Sequence, residues 1–125
     1  MSKIDQEITD LLINNLKFSD KTLSSRIKFD KNFIGFHGHF PDNPVLPGII
    51  MIKVMIKMYE LFREKDFFLS KIKKSKFIEP VLHNNYVTFK VTDKSNLNGV
   101  NLQGQVQKQE KTIAKISIIL QDKIV

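Results

Sequence analysis

From Ile49 to Phe62 the chain carries eleven apolar side chains, interrupted only by Lys53, Lys57 and Glu60. Positions 53, 57, 60 and 64 are spaced by four, three and four, so a helix here shows one narrow polar stripe and apolar surface everywhere else. Such a rod has to be almost completely enclosed. At about 16 residues it is shorter than the roughly 20 needed to cross a bilayer, and it is charged midway, so a sheet is the expected enclosure. No run of 18 apolar residues occurs anywhere in the 125, and no membrane span is expected.

Directly before the rod stands Gly38-His39-Phe40-Pro41-Asp42-Asn43-Pro44-Val45-Leu46-Pro47-Gly48, which holds three of the four prolines and two of the five glycines. Proline fixes the backbone, so this loop presents His39 from a stiffened frame. Pro47 suits the lead-in or first turn of a helix, where its missing N–H costs nothing, and Gly48 lets another group approach the backbone closely.

The hydrophobic fraction of 42% with ten Phe describes a folded globule, and the length describes a single domain over residues 1–125. The absence of cysteine removes disulfides, thiolate metal sites and a cysteine nucleophile. Chemistry is left to histidine, carboxylates, hydroxyls and backbone amides. Met1 to Asp10 alternates charge without an apolar run, so no secretory signal is expected and the cytoplasm is the expected compartment. A net charge of +7 favours acidic partners without choosing among them.

Residues 1–18 are ambiguous: Ile4, Ile8, Leu11, Leu12 and Leu16 approximate a helical stripe, while Ile13 and Phe18 also permit a strand before the turn at Ser19-Asp20-Lys21. Leu23 to Phe29 alternates with period two and predicts a strand, after which Asp30 to Gly38 loses any period. Beyond the rod, which should end between Arg63 and Asp66, Phe67 to Glu79 reads as a strand. Pro80 and His83-Asn84-Asn85 turn it into a second strand, Tyr86 to Asp93. A turn at Ser95 to Gly99 then leads to a hairpin of Val100–Gln109 and Thr112–Gln121 across Glu110-Lys111. One enclosed helix with antiparallel strands around it is an α+β layout.

The loop resembles the active-site signature of the hot-dog-fold 3-hydroxyacyl-acyl-carrier-protein dehydratases of fatty-acid synthesis, G-H-F-P-x-x-P-(hydrophobic)-x-P-G followed by a buried central helix. Every fixed position of that pattern is present. The resemblance implies a hot-dog fold, with a curved antiparallel sheet wrapped around one central helix at about residues 48–64, and it tilts residues 12–18 toward a first strand. It implies removal of water from a 3-hydroxyacyl thioester to give the trans-2-enoyl product, without a cofactor. It also implies His39 as the base, the Gly48 N–H as donor to the thioester carbonyl, and Phe40, Pro47, Met51, Lys53 and Met55 along the acyl tunnel. A homodimer is the expected minimum, with a heteromer containing a related subunit as a variant, and an acidic acyl carrier protein is the expected partner. Arg63, Lys71, Lys73, Lys74 and Lys76 would dock that carrier. Nucleic acid is not expected, because no aromatic platform or recognition helix is visible.

Several positions carry two readings. The family has a Glu or Asp five residues after the helix-opening glycine, where this chain has Lys53, a cation with three donors and no acceptor. Lys53 either snorkels along the polar stripe or faces the tunnel in the carboxylate's place. Glu60, about 10 Å further along the helix, is too far to substitute. Gly48 serves close packing, a polarised carbonyl, or both. The lysines of 71–76 either discourage edge pairing or meet a partner. His37 and His39 are too few for a metal site. The second functional reading is a subunit that has lost its acid and binds acyl carrier or partners an active dehydratase; a thioesterase ranks lower.

Overall fold

The computed structural model describes residues 2–36, 45–97 and 99–123. Its elements in chain order are α1 (Lys3–Leu12), β1 (Lys17–Ser19), β2 (Thr22–Lys28), a short 3-10 turn (Ile34–Phe36), α2 (Gly48–Arg63), β3 (Phe67–Phe77), β4 (Tyr86–Asp93), β5 (Val100–Lys108) and β6 (Lys111–Asp122). The strands form one antiparallel sheet in the order β1-β2-β4-β5-β6-β3.

The N-terminal segment departs from the strand that the resemblance favours. Residues 3–12 are helical and only Lys17–Ser19 pairs with the sheet. The cause is local. Ser2 caps the helix, its hydroxyl accepting from the Asp5 amide at 3.2 Å and donating to the Asp5 carboxylate at 2.7 Å. Ile8 and Leu12, one turn apart, are fully buried, so the helical stripe wins over the strand reading.

β1 and β2 meet through Asp20-Lys21, both at positive φ, as a two-residue turn of the primed kind requires. The same geometry places the β5–β6 turn at Gln109-Glu110, one residue earlier than the sequence reading, and Lys111 opens β6. Burial alternates along β2, β4, β5 and β6. Their inward side chains, among them Leu23, Ile27, Phe89, Val91, Leu102, Ile116 and Ile118, close over Ile50, Met51, Val54, Met55, Met58 and Tyr59 of α2. The rod is thus enclosed by a curved sheet, as its apolar circumference demands.

At the far end of α2, Glu64 takes the left-handed conformation and Lys65 N–H bonds the Glu60 carbonyl, ending the helix. The Tyr59 hydroxyl lies 2.6 Å from Arg63 Nη1 and donates to Asp93 at 3.1 Å, pinning this end to β4. β3 differs from the other strands. It is an edge, and every residue after Phe67 is exposed, including Phe68, Leu69, Ile72 and Phe77. An eleven-residue, partly apolar edge strand is a template for another chain.

Candidate functional site

The signature loop returns to the sheet at its C-terminal end. Leu46 N–H bonds the Val81 carbonyl at 2.9 Å and Val45 bridges Leu82, so the approach to α2 is held against the β3–β4 connection. His39, Phe40 and the neighbouring His37 lie outside the described residues. His83, next to this anchor, has an Nδ1 shielded from solvent and without a hydrogen-bond partner, a feature its place in a turn motif did not suggest.

Pro47 caps α2 with no side-chain hydrogen bond, and its carbonyl receives Ile50 N–H at 3.0 Å and Met51 N–H at 3.3 Å. The Gly48 and Ile49 amides precede these first helical bonds and carry the positive end of the helix dipole. Gly48 also has a packing role, because a Cβ there would stand 2.6 Å from Cζ of Phe77. The glycine lets the ring of β3 close over the start of the helix.

Lys53 sits on the polar stripe, with Nζ 3.4 Å from Asp5 Oδ1 of α1. Its side chain is 42% exposed and that of Asp5 28%, so the pair is of the solvated kind, worth at most about 1 kcal/mol. The Asp5 carboxyl is held below its ordinary range, first by the Ser2 hydroxyl and, against the cost of burial, by Lys53 and then Lys57. It therefore stays a carboxylate. Lys57 and Glu60 form a better buried pair at 3.2 Å, and Glu60 Oε2 accepts Phe67 N–H at 2.9 Å. Glu60 is occupied as well as distant from position 53.

These groups line one groove of about 630 Å³ between α1, α2 and the start of β3. Ile49, Ile52, Ile56, Phe68 and Leu69 give it apolar walls, and Lys53, Asp5, Lys57 and Glu60 give it polar ones. Met51 and Met55, expected along the tunnel, are 2% and 1% exposed and belong to the core; Met55 fills the space left by Gly104 of β5. Sequence reasoning missed the contribution of β3, because the irregular alternation of Phe67 to Phe77 hid which of its residues face α2. Two shifts of register, between Leu69 and Lys71 and between Ile72 and Lys74, explain that irregularity.

Arg63 belongs to the Tyr59 network, whereas Lys74 and Lys76 line a trough on the outer face of the sheet and Lys73 a smaller one beside it. Among the described residues no three His, Cys, Asp or Glu side chains gather as a metal site needs, and no helix is long and apolar enough to cross a membrane.

An enclosed central helix opening on a glycine, inside a six-stranded antiparallel sheet, defines a hot-dog protein. The chain belongs to the ApeI-like dehydratase family, whose model matches residues 14–116. It is 27% identical over 145 residues to the 3-hydroxyacyl-acyl-carrier-protein dehydratase FabZ of Lactobacillus helveticus, covering 98% of this chain and 97% of that one. With the FabZ of Fusobacterium nucleatum it shares 28% over 127 residues, covering 94% and 89%. Among solved structures, the dehydratase heterocomplex ApeI:P from Xenorhabdus doucetiae has a similar fold, with a TM-score of 0.68, 20% identity and coverage of 82% and 89%. So does an uncharacterized protein from Erwinia carotovora, with a TM-score of 0.66, 18% identity and coverage of 86% and 90%.

Proposed function

We propose that this protein acts on acyl thioesters carried by acyl carrier protein, removing water from the 3-hydroxyacyl group to give the trans-2-enoyl product. The observation that carries the reading is the start of α2: the helix-opening amides of Gly48 and Ile49, ahead of the first helical hydrogen bonds, follow directly on the loop that bears His39, in a chain of a dehydratase family. His39 takes the proton alpha to the thioester carbonyl, and Gly48 N–H stabilises the enolate-like oxygen that forms. Pro47 fixes the direction of that amide. The acyl chain lies along the apolar walls of the groove at Ile49, Ile52 and Phe68, reached past Phe40. The β3 edge pairs with a second subunit, and the cytoplasm is the compartment this reading implies.

Position 53 determines the rate. Lys53, where the family carries a carboxylate, is a cation with no acceptor and supplies no carboxylic acid for the departing hydroxyl. The proton leaving as water then comes from the His39 imidazolium itself, from solvent or from another subunit. Slow turnover follows. Arg63 and Lys71 remain to meet the acidic carrier, since Lys73, Lys74 and Lys76 line the outer troughs.

A second reading, a catalytically impaired subunit that partners an active dehydratase, is favoured by the same Lys53 and by the exposed β3 edge. The resemblance to a dehydratase heterocomplex supports it as well. Lys53→Glu separates the two. A gain in dehydration of 3-hydroxybutyryl carrier protein, read as the rise of enoyl product, supports the enzyme with a handicapped acid; no gain in a correctly folded variant argues for the subunit.

A further inference from the structure

The charge of the chain is unevenly placed. Alternation along β2, β4, β5 and β6 turns Arg26, Lys28, Lys90 and Lys115 outward, and only Ser, Thr, Tyr, Gln and Ile stand among them on residues 22–28, 86–92, 103–107 and 115–119 of that face. No carboxylate interrupts it. On this face lies a trough of about 800 Å³, lined by Lys74 and Lys76 of β3, Lys90 of β4 and Lys115 of β6, with Gln103, Gln105 and Gln107 of β5 between them. None of the residues lining it is acidic. All four lysines are exposed, and none enters an ion pair among the described residues. Four cations converging without counter-charge repel one another, so the surface is complementary to a polyanion.

We propose that this trough docks an acidic segment of a protein partner, on the side of the sheet away from α2 and separate from the thioester chemistry. Three features choose the occupant. No aromatic side chain lines the trough, and the one aromatic ring among these outward residues, Tyr86, is already covered by Arg26 at 3.9 Å from its centroid, so bases find no stacking platform. The trough cations are lysines, point charges without the planar fork that recognises phosphate bidentately. The column of glutamine amides offers donors to carboxylates and both donors and acceptors to a peptide backbone, and a trough admits a chain where a bilayer plane would touch only its rims.

The test is fluorescence anisotropy of a short labelled Glu-rich peptide with the full chain. Binding is expected to weaken strongly between about 50 and 200 mM salt, because the contacts are charge to charge. Lys90→Glu with Lys115→Glu should weaken it more than about tenfold. Lys3→Glu with Lys31→Glu, an equal change of net charge at exposed positions on and beside α1, away from the trough, should change it less than about threefold. The neutral pair Lys90→Gln with Lys115→Gln, its folding checked by circular dichroism, should lower affinity in the same direction. Equal losses from both charge-reversed pairs, no peptide binding at low salt, or tighter binding of a duplex oligonucleotide or of phosphatidylglycerol vesicles would overturn the proposal. Thioester turnover is measured on the same variants and should not change. Absence of turnover in every form would defeat the dehydratase reading and leave the docking result standing.

Discussion

Gly104 lies where β5 passes over the middle of α2, and a methyl group there would stand 2.3 Å from Cε and 2.5 Å from Sδ of Met55. Non-bonded carbons rest at about 3.5–4.0 Å, so Gly104→Ala forces the thioether to move by more than about 1 Å. Met55 is 1% exposed, surrounded by core side chains, and cannot swing into solvent. Overpacking of this kind costs about 1–3 kcal/mol, partly offset by about 0.4–1 kcal/mol from the reduced freedom of the unfolded chain. A net loss of about 1–2 kcal/mol corresponds to a fall in Tm of roughly 3–10 °C for a chain of this length. Thermal and urea unfolding at matched protein concentration measure it, since association would make Tm concentration-dependent. A double-mutant cycle sharpens the test. Met55→Ala alone should cost about 2–5 kcal/mol, and in the Gly104→Ala background at least about 1 kcal/mol less, because the truncated side chain makes room for the methyl. Strict additivity, or an unchanged Tm for Gly104→Ala, would refute the claim that this glycine exists to seat Met55.

Gly48→Ala meets Phe77, but that ring is 47% exposed and can turn outward, so stability should change by less than about 1 kcal/mol while thioester turnover falls; equal loss of both would make Gly48 a packing residue only. Asp5 gives a pH signature. Its carboxyl is lowered in the folded chain, so its stabilising contribution is complete above the unfolded value near 3.8 and is lost as pH falls through the lower folded value. Urea midpoints across that range should converge for the wild type and Asp5→Asn at the acid end, with Ser2→Ala reproducing more of the effect than Lys53→Met, since the Ser2 hydroxyl is the larger cause.

The apolar circumference of residues 49–62 was enough to demand an enclosing sheet, and the period-two stretches located β2, β4 and the β5–β6 hairpin. The signature loop added the family. Three things were not legible. α1 was hidden because Ile4, Ile8 and Leu12 compete with Ile13 and Phe18, and the capping hydrogen bonds of Ser2 decide between them only once Asp5 is placed. The faces of β3 were hidden by two register shifts, which break the alternation and scatter its lysines. The pairing of Lys53 with Asp5 spans 48 positions and leaves no local pattern, so the neighbour of the contested residue emerged only from the fold.

The most direct measurement is the hydration of a crotonyl thioester by the purified protein and by its His39→Ala variant. Slow but measurable hydration that disappears in the variant, with the fold unchanged by circular dichroism, is the predicted result. Hydration that persists without the imidazole would contradict the central claim that His39 moves the proton.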